Sequence, residues 1–389
     1  MNKVWPHYSA DEIQAVEKVL CSGKVNYWTG TEGRELEKEF AAFHGCKYAV
    51  AVANGTVALE LTLVALGISV GDEVIVTPRT FVASASAIVM RGAKPIFADV
   101  DLISQNITAE SIQAVLTPRT KAIICVHLAG WPCEMDEIMA LAAEHNLYVI
   151  EDCAQAHGAR YQNKLVGTWG HIGAFSFCQD KIISTGGEGG MVITDDESLW
   201  KKMWSFKDHG KSYDTVYHVQ HPPGFRWLHE EFGTNWRMTE MQAAIGRCQL
   251  RKLTGWLTRR REIATQLKAT LEKLAALFIP PIPEDVFHAY YRYYFFIRPE
   301  KLKSGWDRDR IMQEINAHGV NINVGSCAEI YLEKCFDKYQ LQPARPCFNA
   351  RELGKNSLAL PIHHYLTAEA VQEMVTIIAS VVTEGTVGS

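Results

Sequence analysis

The sequence lacks several features that would place it in a specialised class of protein. No two of its ten cysteines have the C-x-x-C spacing of a zinc or thioredoxin-like site, so we expect reduced thiols and no metal centre. No uninterrupted apolar run reaches the roughly 18 residues that a membrane-spanning helix needs. The start of the chain, Met1 to Pro6, also lacks the apolar core of a secretion signal. These absences predict a cytoplasmic protein without a membrane partner.

An excess of positive charge is also absent. The chain has 39 lysines and arginines against 44 aspartates and glutamates, which gives a net charge of -5. A nucleic-acid partner is therefore not expected. Hydrophobic residues make up 47% and charged residues 21% of the 389 positions, a composition typical of a globular enzyme with more than one domain.

Short apolar runs alternate with helical patterns through the first two-thirds of the chain. This alternation predicts an α/β fold, with helices on both faces of a mainly parallel seven-stranded sheet. A long helical pattern over 239–274 leads into a smaller α+β pattern. We therefore predict a large domain over residues 1–250 and a small C-terminal domain over 251–389. The predicted strands are 48–52, 73–77, 94–99, 121–126, 147–151, 172–177 and 190–194 in the large domain, and 291–297 and 320–324 in the small one.

Two carboxylates follow the fifth predicted strand. Glu151 and Asp152 come directly after an apolar run, and small residues up to Gly158 follow them. A carboxylate in an apolar setting can pair with a protonated ring nitrogen. Pyridoxal 5'-phosphate (PLP) requires such a partner, because its protonated pyridine is the electron sink for a carbanion. Asp152 could instead only cap a helix, and the motif alone leaves both interpretations open.

A lysine stands shortly after the sixth predicted strand. Ser176 lies near the end of that strand, Lys181 follows five residues later, and a glycine-rich run ends at Gly190. A lysine amine in a suitable site forms a Schiff base with an aldehyde, and glycines let the backbone approach a ligand closely. Considered separately, Lys181 could be an ordinary surface lysine and the glycine-rich run an ordinary turn. Their proximity in sequence to Asp152 favours the cofactor interpretation.

Two other segments that follow predicted strands could also contact a cofactor. Gly55 and Thr56 lie where a strand turns into a helix, and the N–H groups and positive dipole of a helix start suit a phosphate. Phe81 follows the next strand and could stack on a flat heterocycle. Read alone, the first segment is more often a structural turn and the second a core phenylalanine.

In this order, the motifs resemble those of the PLP-dependent nucleotide-sugar aminotransferase family of the DegT/StrS kind. The likeness covers roughly residues 5–380 and implies the type I PLP-transferase fold. One branch of the family has histidine in place of the lysine and performs dehydration, so Lys181 favours aminotransfer. The segments that carry the likeness are 71–75, 92–100, 151–158, 176–190 and 233–238.

The resemblance implies a role for each of these residues. Lys181 would carry PLP and move the proton, and Asp152 would pair with the pyridine nitrogen. Gln155 would lie near the phenolic oxygen of the cofactor, and Phe81 would stack on its ring. The other subunit of a homodimer with shared active sites would also contribute to the phosphate site. The implied phosphate ligands are Gly55, Thr56, Ser176 and, from that other subunit, Asn235.

The implied reaction is a ping-pong transamination. An amino-acid donor, expected to be L-glutamate, would give up its amino group, and a keto-sugar linked to a nucleotide would receive it. A PLP-dependent lyase of the same fold would use the same Lys181. A non-catalytic PLP-binding regulator would usually need an added DNA-binding domain, and no basic segment suggests one. A dinucleotide-dependent dehydrogenase is disfavoured because no G-x-G-x-x-G follows the first strand.

Overall fold

The computed structural model describes residues 4–387, so the outermost positions of the two predicted domains, 1–3 and 388–389, lie outside the described residues. Many helices begin at a side chain that accepts a hydrogen bond from the first turn, which satisfies an N–H group without an intrahelical partner. These caps are Asn54, Thr108, Asp196, Ser212, Thr239, Asp307 and Thr367.

The helices lie mostly where apolar residues recur at helical spacing. None within residues 4–387 is long and apolar enough to cross a membrane. In chain order they are α1 Ala10–Ser22, α2 Glu32–His44, α3 Gly55–Ala65, α4 Ala83–Met90, α5 Ala109–Gln113, α6 Met135–Glu144, α7 Glu197–Phe206, α8 Tyr213–Tyr217, α9 Glu240–Leu271, α10 Arg308–Ala317, α11 Lys334–Lys338, α12 Phe348–Asn356 and α13 Ala368–Gly385.

The strands form one large sheet and two small ones. In chain order they are β1 Tyr48–Val52, β2 Glu73–Val76, β3 Lys94–Phe97, β4 Thr120–Val126, β5 Tyr148–Asp152, β6 Arg160–Tyr161, β7 Lys164–Leu165, β8 Ile172–Ser176, β9 Gly190–Thr194, β10 Leu277–Phe278, β11 Val286–Phe287, β12 Arg292–Ile297 and β13 Ser357–Pro361.

The large sheet has seven strands in the order β1-β9-β8-β5-β4-β2-β3. β9 is antiparallel to both of its neighbours, and the other pairs are parallel. The predicted mainly parallel seven-stranded sheet is therefore confirmed. Its central strands are buried along nearly their whole length, as expected for a sheet covered on both faces. The carboxyl ends of β5 and β8 lie at the same edge and bring Asp152 and Ser176 to one place.

A smaller α+β region follows, built on the antiparallel sheet β10-β12-β13. Side chains of α9, α10 and α13 form a common apolar core with this sheet. Helix α9 is 32 residues long and runs without interruption through residue 250. The division into domains of 1–250 and 251–389 stays a prediction.

The predicted strand over 320–324 is wrong. Here the backbone makes only an isolated bridge between Asn323 and Ala359, and β13 is the strand that pairs with β12. The cause lies in α10, where the Asn316 amide donates to the carbonyl of Ile322 and accepts from its N–H at 2.9 Å each. A side chain therefore occupies both backbone groups that a strand would use.

The segment 205–235 interrupts the alternation of strands and helices and contains only the end of α7 and the short helix α8. Beyond α8 its backbone is largely irregular. Three large apolar side chains there, Phe225, Trp227 and Phe232, are 77%, 83% and 99% exposed. Such a cluster is uncommon on the surface of a monomer and is typical of an interaction surface.

Candidate active site

A cavity of about 710 Å³ opens at the carboxyl ends of the large sheet's strands. Its wall includes residues that follow β1, β2, β5 and β8, together with the start of β12 and the loop at 325–327. Seven of the eight residues predicted for the site line it, whereas Asn235 does not. The seven are Gly55, Thr56, Phe81, Asp152, Gln155, Ser176 and Lys181.

Asp152 lies buried at the end of β5. One carboxylate oxygen accepts a hydrogen bond from the Ser84 hydroxyl at 2.8 Å, and the other accepts from the Ala154 N–H at 3.1 Å. Burial raises the pKa of Asp152, although both hydrogen bonds and the charge of Lys181 act in the opposite direction. No cation contacts this carboxylate within the described chain. A positively charged ligand atom would therefore be stabilised beside it.

Lys181 projects its amine into the same cavity, and its side chain is only 16% exposed. The nitrogen lies 3.5 Å from the Tyr291 hydroxyl and 3.5 Å from a carboxylate oxygen of Asp180. Tyr291 in turn donates a short hydrogen bond to Asp180. Burial acts to lower the pKa of the Lys181 amine, but the charges of Tyr291 and Asp180 outweigh it, so the net direction is upward. The amine is thus held in place by groups that favour its protonated form.

The turn between β1 and α3 has the features of a phosphate site. Asn54 caps the helix by accepting from the N–H of Val57 at 3.0 Å, whereas the N–H groups of Gly55 and Thr56 have no acceptor inside the helix. A side chain at Gly55 would not fit, because its Cβ would lie 2.5 Å from that of Ser176. Glycine therefore brings the helix start against the end of β8.

Gln155 and Phe81 stand at other parts of the wall. The side-chain oxygen of Gln155 accepts a hydrogen bond from the Ala129 N–H at 2.8 Å, which fixes the orientation of the amide. Phe81 lines the cavity yet is 67% exposed. A phenylalanine with so much free surface is available to pack against a bound molecule.

Asn235 lies apart from this cavity, on the surface of the chain. It is exposed, and its backbone bridges to Asp208. It belongs to the same irregular segment as Phe225, Trp227 and Phe232. Asn235 is therefore not part of the cavity wall of its own chain, and the predicted contact with the other subunit stays a prediction.

The residues that line the cavity without having been singled out by the motifs include Ser84, Asp180, Tyr291 and Arg292. Asp180 is adjacent to Lys181, so its position could have been noticed. Tyr291 is 110 residues away from Lys181 along the chain, and no local pattern connects them. The backbone N–H of Tyr291 donates to the Ala129 carbonyl at 2.8 Å, which ties this segment to the large sheet.

Glu151, next to Asp152, has a supporting role. Its carboxylate accepts hydrogen bonds from the N–H groups of Gly167, Trp169 and Gly170 at 2.7 Å each, and it contacts the His127 ring at 2.9 Å. The ligand atoms of His127, Glu151 and Cys153 lie within 4.8 Å of one another, as a metal site would require. Three backbone donors and a ring nitrogen already surround this carboxylate, which accounts for its burial without an ion.

Replacing Glu151 with alanine should strongly destabilise the protein. The change leaves three backbone N–H groups without their acceptor in a buried region, and each such loss costs about 1–3 kcal/mol. We expect the free energy of unfolding in urea to fall by at least roughly 3 kcal/mol. Glu137→Ala, at an exposed position on α6, is the control and should change it by less than about 0.5 kcal/mol. Equal urea midpoints for the two variants would contradict this account.

The arrangement fits PLP. The cavity contains a lysine amine for the aldehyde, a buried carboxylate without a cation for the ring nitrogen, and free N–H groups at a helix start for the phosphate. It also has an exposed aromatic ring to cover the heterocycle. Each group lies on the wall of one cavity, so a single cofactor could engage them together.

Comparison with known proteins agrees with this chemistry. The model of the DegT/DnrJ/EryC1/StrS aminotransferase family matches residues 6–379. GDP-perosamine synthase of Escherichia coli O157:H7 is 38% identical over 373 residues, which cover 94% of each chain. UDP-N-acetyl-3-dehydro-alpha-D-glucosamine 3-aminotransferase of Acidithiobacillus ferrooxidans is 38% identical over 95% of this chain and 93% of its own.

Solved structures show the same relationship. An aminotransferase from Psychrobacter cryohalolentis is 54% identical, covers 99% of both chains and superimposes with a TM-score of 0.97. The predicted type I PLP-transferase fold, the enzyme class and the cofactor are thereby confirmed. The chain belongs to the DegT/DnrJ/EryC1/StrS aminotransferase family, whose members are PLP-dependent sugar aminotransferases.

Proposed function

We propose that this enzyme moves an amino group from L-glutamate to a keto-sugar carried by a nucleotide. Two relatives support the sugar half of the proposal, since their names specify a GDP-linked and a UDP-linked sugar. The observation that carries the chemistry is the Lys181 amine in the same cavity as the buried Asp152 carboxylate. This pairing supplies both a group to move a proton and a group to hold a ring nitrogen in its charged form.

The proposed roles of the cofactor residues follow from their positions. When bound, PLP withdraws electrons from the carbon that bears the transferred nitrogen. Asp152 keeps the ring nitrogen protonated, and Ser84 orients the Asp152 carboxylate. Phe81 covers one face of the ring, and Gln155, fixed by Ala129, lies near the phenolic oxygen. The phosphate binds at Gly55, Thr56 and Ser176.

Lys181 is the proposed acid–base residue. Its amine would hold the cofactor and would become free once the nitrogen of the amino donor had replaced it. The free Nζ would accept the proton from the α-carbon of the donor and deliver it, within the same half-reaction, to the cofactor carbon that keeps the nitrogen; in the second half-reaction it would move a proton in the opposite direction. Tyr291 and Asp180 keep this nitrogen within the cavity while it is free.

We also propose a homodimer with shared active sites. Among the described residues, the proposed phosphate ligands Gly55, Thr56 and Ser176 provide backbone N–H groups and hydroxyls but no positive charge. Asn235 and the exposed aromatics of the 205–235 segment provide a surface that a second copy could cover. In this arrangement Asn235 of one subunit reaches the phosphate in the other.

The test of the proposed reaction is the absorbance spectrum of the PLP-loaded protein before and after addition of L-glutamate. We expect the visible band of lysine-bound PLP to decrease, the near-ultraviolet band of pyridoxamine phosphate to increase, and 2-oxoglutarate to be released. A nucleotide-linked keto-sugar should then restore the visible band, and D-glutamate is the control. A visible band that L-glutamate leaves unchanged would exclude glutamate as the donor. Loss of the band without 2-oxoglutarate would indicate a lyase.

A further inference from the structure

The cavity contains a cation that these roles do not use. Among the described residues that line it, the positively charged side chains are Lys181 and Arg292. Lys181 is committed to the cofactor, which leaves the guanidinium of Arg292. Its side chain is 23% exposed, so it is largely desolvated yet still accessible from the cavity. A charge in this setting interacts more strongly with an incoming anion than a fully solvated one does.

The guanidinium of Arg292 makes no hydrogen bond to any residue within 4–387. Its nearest charged partner is Asp180, whose carboxylate oxygen lies 4.0 Å from Nη2, beyond hydrogen-bond distance. The same carboxylate already accepts from the Tyr291 hydroxyl and pairs with Lys181. Among the described residues, the guanidinium also lies over the Tyr291 ring, 5.1 Å from the guanidinium carbon to the ring centroid. The donors of Arg292 are therefore open to a ligand.

The backbone of Arg292 is firmly held. Arg292 is the first residue of β12 and pairs with Pro361 of β13, and the preceding Tyr291 bonds to Ala129. A binding group on a sheet loses little freedom when a ligand arrives. A planar guanidinium with free N–H groups matches a carboxylate in a two-point contact.

We propose that Arg292 binds the carboxylate of the amino-acid donor and that Asp180 neutralises it when the sugar substrate is bound. This inference rests on the proposed transamination. One carboxylate oxygen of Asp180 lies 3.5 Å from the Lys181 amine and the other lies 4.0 Å from Arg292, so the space between the two cations holds one carboxylate group. In an amino acid the carboxylate is bonded directly to the reacting carbon, so one end can lie at Lys181 and the other at Arg292.

The pair also addresses a conflict between the two substrates. One cavity has to accept an anionic amino acid and then a keto-sugar, whose reacting ring carbon bears no carboxylate. An arginine that contacts its acidic partner only weakly can accommodate both substrates. The donor's carboxylate replaces Asp180 beside Arg292, and Asp180 returns to Arg292 when the donor leaves. Glu188 and Glu333 also line the cavity. Repulsion between like charges disfavours the donor's carboxylate beside them and so favours its binding at Arg292.

The experiment measures binding of glutarate, which has the carbon chain and both carboxylates of glutamate but no amine, to the PLP-loaded protein by calorimetry. Arg292→Gln should weaken glutarate binding by at least about tenfold, the loss expected for a hydrogen bond between charged groups. The glutarate affinity of Arg292→Lys should lie between those of the wild type and Arg292→Gln, because lysine keeps the positive charge but lacks the planar guanidinium that makes two hydrogen bonds. Asp180→Asn should tighten binding, since it removes the competing carboxylate. Arg298→Gln, just after the same strand, is the control and should bind glutarate as the wild type does.

A second series separates the possible anions. GDP and UDP should bind the wild type and Arg292→Gln with equal affinity. If Arg292→Gln instead binds these nucleotides more weakly and binds glutarate as before, Arg292 binds a diphosphate and the inference is wrong. Equal glutarate affinity of wild type and Arg292→Gln, with the thermal midpoint unchanged, overturns it as well. Failure of the proposed function has a different signature: the spectrum of the wild type does not respond to L-glutamate at all.

Discussion

Lys181→Ala should abolish the visible absorbance band of the PLP-loaded protein and slow amino transfer by roughly 10²–10⁴-fold or more. No other amine lines the cavity among the described residues, so no neighbouring side chain can take over attachment or proton movement. The change removes a side chain that is 84% buried, yet its contacts are mainly polar, and the fold should persist. Absorbance at pH 8 and a coupled assay for 2-oxoglutarate measure the two effects.

Lys181→Arg is the matched control for charge. It keeps a cation beside Tyr291 and Asp180 but cannot form the covalent link or act as a base near neutral pH. It should therefore lose both the band and the transfer reaction while keeping a wild-type thermal midpoint. If Lys181→Ala retained the visible band, the cofactor would be attached elsewhere and the assignment of this lysine would be wrong.

Asp152→Asn is expected to reduce amino transfer by roughly 10²–10⁴-fold, because removing one partner of a buried ion pair costs about 3–5 kcal/mol. Asn has nearly the same shape, so Ser84 and Ala154 can still surround it, but it cannot stabilise a protonated ring nitrogen. PLP should still attach to Lys181, which separates this effect from failure to bind. Stopped-flow absorbance with L-glutamate measures the rate of the first half-reaction.

Ser84→Ala tests whether the position of the carboxylate matters as well as its charge. It removes one of the two hydrogen bonds to Asp152 and leaves the one from Ala154. A single hydrogen bond to a charged group contributes about 1.5–3 kcal/mol, so the loss should be smaller than that of Asp152→Asn. A half-reaction of near wild-type rate in Asp152→Asn would rule out a role for this carboxylate at the ring nitrogen.

Much of the large sheet could be predicted because its strands are continuous apolar runs between turn signals. The runs at 48–52 and 190–194 coincide with β1 and β9, and the other five predicted strands differ from the structure by one or two residues at an end. The motif residues of the site could be predicted from the sequence for a related reason. All of them except Asn235 lie at the end of a strand or within five residues after it, and parallel strands bring their carboxyl ends to one edge.

The missed residues depend on contacts between distant segments. Asp180 contacts a tyrosine 111 residues further along, and Arg292 reaches the cavity because β12 begins beside the turn after β4, where Tyr291 bonds to Ala129. The failed strand at 320–324 has a local origin instead, since the competing hydrogen bonds come from a side chain on the preceding helix. Periodicity describes one element at a time and cannot predict which side chain will occupy its backbone.

The uninterrupted helix α9 has a mechanical consequence for the active site. Its 32 residues form a rod of about 48 Å, and no proline interrupts it. It packs on α1 and α2 at one end and on α13 at the other. The uninterrupted helix α9 thus links the part of the chain that carries Arg292 to the part that carries Lys181. Opening the cavity by a hinge at residue 250 would break backbone hydrogen bonds of α9, so the helix opposes such a motion.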